Sequence, residues 1–348
     1  MPARALASTI AYTRTWRQRK CFLALLLAAI LALTCIDLVL GPADLTLPTL
    51  WQALSDPHSL DPTLEAIVWQ IRLPQALMAV MVGAALGLAG AEMQTVLNNP
   101  LASPFTLGVS SAAALGAALT LVFGWHLPLI PVQYALVLNA FILALLCTFL
   151  LDAVARRARI GTAGIVLFGI ALVFTFNALL SLVQLTASAA ALQDLVFWMM
   201  GSLERSNWPK AGMMAVAIAI VLPFALRNAW QLTALRFGDD RAASFGVDAR
   251  HIRRGALLRV SVLASLAVAM VGVIGFIGLV APHIARRLWG EDHRWYLPAS
   301  ACIGSAILIC ASVAAKLIST HAVIPVGIVT TLVGIPFFVI ALMRRTVQ

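Results

Sequence analysis

Apolar residues fill long stretches of this chain, and short islands of Pro, Gly and charge separate them. A stretch of about 20 apolar residues at the α-helical rise matches the thickness of a bilayer's hydrocarbon core. The pattern predicts spans over 22–40, 70–91, 106–124, 129–151, 162–185, 210–227, 256–274, 298–316 and 324–343. A further piece, GFIGLVAPHIA over 275–285, is too short to cross alone and is expected to pack inside the bundle. With it the expectation is an all-α polytopic membrane protein of about ten transmembrane helices. Two polar islands fall outside the spans. The segment 41–66 reads as a turn-rich loop with a short amphipathic helix, and 193–209 as an interfacial helix flanked by Trp198 and Trp208.

Composition agrees. Hydrophobic residues make up 61% of the 348 positions and charged residues only 11%, well below the roughly 25% usual in soluble domains. A net charge of +10 would suggest nucleic acid in a soluble protein, but here the location of the charges decides. If every piece crosses and the N-terminus is cytoplasmic, all but four of the 24 basic residues fall in or beside cytoplasmic segments. The exceptions are Arg72, Arg205, Lys210 and Lys316. That asymmetry is the positive-inside rule, and it puts both termini inside. Omitting 275–285 would reverse everything after it. The domain reading is a cytoplasmic segment 1–21, one transmembrane domain 22–343 containing a cytoplasmic loop 228–255, and a tail 344–348. Nucleic acid is excluded as a partner, and membrane lipid is expected. The basic leader is long and no small-x-small site follows it, so the first helix is read as uncleaved.

Candidate chemistry is sparse. The five cysteines lie in apolar runs without a C-x-x-C pair, and the six histidines show no ligand spacing, so no metal site is expected. The three lysines precede Cys, Ala and Leu, so no Gly-Lys-Ser/Thr phosphate loop exists. Only Asp37 and Glu92 lie within or beside spans, which weakens an ion-coupled carrier. No span pairs His with a carboxylate, as a membrane hydrolase would require. The chain offers a path without an engine and is not expected to be an enzyme.

One stretch stands apart. LRFGDDRAASFGVDARHIRRG, 235–255, gathers Arg236, Asp239, Asp240, Arg241, Asp248, Arg250, Arg253 and Arg254. Asp239 and Asp240 suit the first turn of a short helix, Gly246 suits its left-handed end, and Asp248 suits the cap of the next helix. Two short helices joined at Gly246 would form a compact knob, with Ala242 and Ala243 allowing a partner to approach closely. A solvated loop carrying ordinary topology charges is the other reading.

Several separated motifs together resemble the FecCD-type permease subunits of ATP-binding-cassette importers, which carry ferric siderophores, haem or cobalamin. They are IRLPQALMAVMVGAALGLAGAEMQ (71–94), NNPLASPFTLGVSSAAALGA (98–117), FWMMGSLERSNW (197–208), LRFGDDRAASFGVDARHIR (235–253), GVIGFIGLVAPHIARRLWGEDHR (272–294) and IPVGIVTTLVGIPFF (324–338). The resemblance implies a bacterial inner-membrane permease that works with two cytoplasmic ATPase subunits, a second permease subunit and a periplasmic binding protein. ATP and Mg would be bound by the ATPase partners and no cofactor by this chain. It implies coupling helices between the sixth and seventh spans, with Gly238, Asp239, Ala243 and Gly246 at the ATPase contact. Arg72 and Lys316 would dock the binding protein.

The chain departs from the family pattern at Gln75, where a second Arg is usual, at Ser312, usually Asp, and at Val323, often Glu. Fewer docking charges favour a heterodimer over a homodimer. Asn99, Pro100, Pro282 and His283 are candidates for a gate or for packing, and Gly83, Gly87 and Gly90 for close helix packing. The expected cargo is a ferric siderophore or similar iron chelate. Haem or cobalamin is the alternative within the family, and an ion-coupled secondary transporter the alternative outside it.

Overall fold

A backbone in hydrocarbon has no water to bond, so an apolar run is driven to satisfy its own N–H and C=O groups as a helix. The computed structural model describes every residue except 1, 42, 44, 57–60, 129, 158–161, 319–323 and 344–348. Val323 and the predicted tail 344–348 therefore lie outside the described residues. Those described form helices and connections, with no strand among them.

The chain opens with α1 (Pro2–Val39), a single helix that joins the predicted leader to the first span. Next come α2 (Leu47–Ser55) and α3 (Pro62–Ala66), which runs through a wider π-helical stretch, Ile67–Arg72, into α4 (Leu73–Val96). Then follow α5 (Val109–Phe123), α6 (Val132–Arg157), α7 (Thr162–Leu185), α8 (Ala189–Met199) and α9 (Trp208–Arg227). The remainder is α10 (Ala229–Leu235), α11 (Asp239–Ser244), α12 (Ala249–Val271), α13 (Ile277–Trp289), α14 (His293–Ile318) and α15 (Val326–Met343).

Among the described residues, seven helices are long and apolar enough to cross a membrane: Trp16–Val39, Pro62–Val96, Tyr134–Val154, Ala163–Leu185, Trp208–Arg227, Ala249–Val271 and His293–Ile318. The predicted spans 106–124 and 324–343 correspond to α5 and α15, whose apolar helical stretches are shorter. α5 starts late because Gly108 takes φ 90° after a 3-10 turn, Phe105–Leu107. The predicted span 256–274 ends early, at Val271, where Gly272 (φ 81°) breaks the helix. The buried break is bridged: the Val271 carbonyl accepts from Ser202 N at 2.8 Å. The short piece is the 13-residue α13, packed against α4 and α14 with Ile277, Ala281 and Ala285 buried, as its length demanded.

α4 is the axis of the bundle, packed against α14, α12, α13 and α9. Its small residues permit this. A Cβ built on Gly83 would strike the Gly304 carbonyl of α14, one on Gly87 the Ser300 carbonyl, and one on Gly90 the Gly278 carbonyl of α13. Between apolar helices in lipid, contact rather than water exclusion drives association, so backbones that touch hold best. Ser305 adds a hydrogen bond from its Oγ to the Val80 carbonyl at 2.7 Å.

α2 and α8 fall within or beside the two predicted polar islands. Trp198, expected at a membrane interface, is 1% exposed and sits in the core. Trp208 is the exposed one, donating from Nε1 to the Trp69 carbonyl at 2.8 Å.

Candidate coupling and docking sites

The charged stretch builds a knob from local rules. Gly238 (φ 95°) lets the chain turn into α11, whose first turn holds Asp239 and Asp240, where negative charge offsets the helix dipole. Gly246 (φ 76°) closes the helix: its N–H bonds the Ala243 carbonyl at 2.9 Å and Val247 N bonds the Ala242 carbonyl at 3.0 Å. This is a Schellman ending, with Ala242 and Val247 buried together beneath it. Asp248 then caps α12, its Oδ1 accepting from Arg250 N at 2.9 Å and His251 N at 3.1 Å. The backbone N–H of His251 and then that of Arg250 hold the Asp248 carboxyl below its usual range.

The outer face of the knob presents Ala243 and Gly246, whereas Ala242, expected beside them, points inward and is fully buried. The knob also exposes Phe237 (59%) and Phe245 (57%), one at each end of α11. Neither stood out in the sequence, because two aromatics carry no signal in a chain this oily. They set the knob apart as a place where large apolar side chains stand exposed beside charged ones.

Two polar ties join the knob to the bundle. Arg253 of α12 grips Asp239 with both guanidinium ends, Nη1 to Oδ2 at 2.7 Å and Nη2 to Oδ1 at 2.6 Å. Its Nε donates to the Val96 carbonyl, the last of α4, at 3.0 Å. The Arg253 hydrogen bond holds the Asp239 carboxyl below its usual range. The second tie is His293 at the start of α14, within 2.7 Å of Thr95 Oγ1 on α4 and 3.0 Å of Thr233 Oγ1 on α10. Beside it Arg236 pairs with Glu291 at 2.6 Å, and Arg286 reaches Tyr296 Oη at 3.1 Å and Gln94 Oε1 at 3.3 Å.

Deeper in the bundle, Glu92 of α4 is fully buried and meets Arg259 of α12, whose Nε lies 2.9 Å from Oε1 and 3.1 Å from Oε2. Residues 92 and 259 were legible only as a carboxylate near a span end and a topology charge.

At the opposite end of α4 the two cations expected to face a docking partner are turned into the chain. Arg72 is 4% exposed and donates to the carbonyls of Leu38 at 2.7 Å, Val39 at 2.8 Å and Ala43 at 2.6 Å. Lys316 Nζ donates to the Asp37 carbonyl at 2.7 Å and lies 2.9 Å from Asp37 Oδ2, while Ser312 donates to Asp37 Oδ1 at 2.7 Å. The acid missing at position 312 is thus supplied by α1, and Ser312 serves as its hydrogen-bond donor. Gln75 is half-buried on α4, one turn beyond Arg72.

The gate-or-packing candidates separate in space. Asn99 accepts from Leu101 N at 2.9 Å through Oδ1, a turn that Pro100 continues, while Asn98 (φ 44°) supplies the left-handed end of α4. Pro282 is buried inside α13. Lacking an N–H, it leaves the Gly278 carbonyl without its helical partner, and that carbonyl faces Gly90. His283 meets Phe337 of α15 edge-on at 6.0 Å. Among the described residues no group of three His, Cys, Asp or Glu could hold a metal.

The described residues form a bundle of apolar helices around a small-residue axis, with a charged knob at one end. The chain belongs to the FecCD transport family, whose profile matches residues 26–344, a family of permease subunits of ATP-binding-cassette importers. It is 36% identical to the hemin transport system permease protein of Yersinia pestis, over 93% of this chain and 95% of that one. Identity is 37% to the Fe(3+)-citrate import system permease protein of Bacillus subtilis (90% and 93%) and 33% to the vitamin B12 import system permease protein of Vibrio cholerae (92% and 93%). A solved structure described as an inward-facing conformation of a putative metal-chelate type ABC transporter superposes with a TM-score of 0.83 at 29% identity, covering 93% of this chain and 99% of that one.

Proposed function

We propose that this chain is one permease subunit of an importer that carries a ferric siderophore or similar iron chelate across the bacterial inner membrane, driven by two separate cytoplasmic ATPase subunits. About ten helices cross the membrane, with both termini and the α10–α11 knob in the cytoplasm. A periplasmic binding protein delivers the cargo at the other end, and a second permease completes the pathway, a non-identical one being favoured. The observation that carries this reading is the knob: a short helix in a fixed turn, exposing Ala243, Gly246, Phe237 and Phe245 at the end of an otherwise apolar bundle. Such a rigid projection can be gripped and moved as one body. The cargoes for which the relatives are named, hemin, vitamin B12 and ferric citrate, support a bulky chelate and leave haem and cobalamin as alternatives.

A docking role for Arg72 and Lys316 requires an acidic group of the binding protein to compete with Asp37 and the carbonyls they now hold. An ion-coupled carrier has less support, because the two fully buried acids within spans are already paired, Asp37 with Lys316 and Glu92 with Arg259.

The test is uptake of radiolabelled ferric citrate, haemin and cobalamin by vesicles holding the full complex with its binding protein. ATP in the ATPase compartment should drive uptake with the proton gradient collapsed; uptake that follows the gradient and ignores ATP would sink the proposal. Ala243→Trp and Gly246→Val should each abolish uptake while the subunit remains in the membrane at wild-type abundance. The former blocks the contact face, and the latter forbids the left-handed turn. Normal uptake by both would remove the knob from the mechanism.

A further inference from the structure

The knob has a glycine at each end. Gly238 and Gly246 flank α11 in left-handed backbone, and a Cβ on either would meet nothing within 4 Å. Between residues 237 and 248 only Ala242 and Val247 are buried. A six-residue helix seated by two small side chains between two glycines has few side-chain contacts through which a push could reach the bundle.

Arg253 supplies one. Its two terminal nitrogens fix both oxygens of Asp239 on α11, and its Nε fixes the end carbonyl of α4 at Val96. A paired fork constrains orientation as well as distance, which a lysine ammonium would not. Four residues further along α4's inward direction, Glu92 repeats the connection to α12 through Arg259. From Val96, α4 runs back without a break to Leu73, and Arg72 follows as the last residue of the adjoining π-helical stretch, about 36 Å from Val96 at the α-helical rise. There Arg72 holds the carbonyls at the end of α1 and in the turn that follows it. One helix therefore links the clasp under the knob to the charged cluster at the far end of the bundle.

We propose that Arg253 is the positioning residue that passes displacement of α11 to α4, and through α4 to the Arg72, Asp37 and Lys316 cluster. This rests on the reading of α11 as the ATPase contact. The pair is partly exposed, with 26% of the Arg253 side chain and 54% of the Asp239 side chain accessible, so it adds little to stability. Its contribution is geometric, and its loss should leave a folded subunit that transports poorly for the ATP its partners consume.

The experiment measures uptake and ATP hydrolysis together in vesicles containing the whole importer, offered ferric citrate, haemin and cobalamin. Arg253→Lys and Arg253→Gln should each lower the number of cargo molecules carried per ATP by about tenfold, the size of a typical coupling between sites. Because Asp239 acts through Arg253, the double variant Asp239→Asn/Arg253→Gln should be no worse than Arg253→Gln alone. A merely structural role would lower protein yield or thermal stability and leave the ratio unchanged. If Arg253→Gln does not assemble, Asp239→Asn carries the test, since it leaves Arg253 on the Val96 carbonyl; the same fall is expected. A wild-type ratio in Arg253→Lys and Arg253→Gln, or in Asp239→Asn where that variant carries the test, overturns the inference, as does additivity in the double variant. A wild type that carries none of the three cargoes with ATP overturns the functional reading instead, and the inference falls with it.

Discussion

Glu92→Ala will lower the stability of the folded subunit by about 3–5 kcal/mol, the usual cost of leaving one member of a buried ion pair without its partner. Glu92 is fully buried and the Arg259 side chain only 10% exposed, so the stranded guanidinium has little water to turn to. Around it are the packed faces of α4 and α12. Replacing both members tests the cause. Glu92→Leu combined with Arg259→Met removes the charge along with its partner and should recover most of the loss. The measurement is the denaturant midpoint of the purified subunit in detergent. If the single and double variants unfold together, the deficit comes from lost packing volume and not from the unpaired charge.

The second large effect is steric. Gly90→Val should prevent stable packing of α13 against α4, because its Cβ would coincide with the Gly278 carbonyl. Overpacking usually costs about 1–3 kcal/mol where side chains can rotate away. Here the obstacle is backbone, which cannot rotate away, so the cost should exceed that range. The reverse substitution is the control. A Cβ on Gly278 would meet its nearest atom, Leu86 O, at 3.1 Å, which a small shift relieves. Gly278→Ala should therefore fold nearly as well as wild type, and Gly90→Ala should not. Equal yields and equal thermal midpoints for the two alanine variants would show that α13 adjusts its depth in the bundle freely.

Comparable reasoning explains how the pairing of Lys316 and Ser312 with Asp37 escaped a sequence reading. Lys316 and Ser312 were recognisable as departures from a family pattern, and Asp37 only as a lone acid near the end of the first span. Their meeting depends on α1 lying beside α14, which no periodicity encodes. Phe237 and Phe245 were hidden for a different reason. Exposure is what sets them apart, and in an oily chain composition says nothing about exposure.

What the sequence alone determined is what short-range physics controls. Apolar runs of bilayer length specified helices and their order. Gly238, Gly246 and Asp248 specified the knob, since a left-handed turn and a helix cap each involve backbone groups only a few residues apart. The small residues of α4 announced close packing without naming the partner. Tertiary structure decided the pairings: Glu92 with Arg259 across 167 positions, Lys316 with Asp37 across 279, Arg253 with Val96 across 157. A charge in a membrane bundle must find an opposite charge or a free carbonyl, but which one it finds depends on which helices touch. That adjacency also gave Arg72 its present partners, the carbonyls of Leu38, Val39 and Ala43 at the end of α1 and in the turn after it.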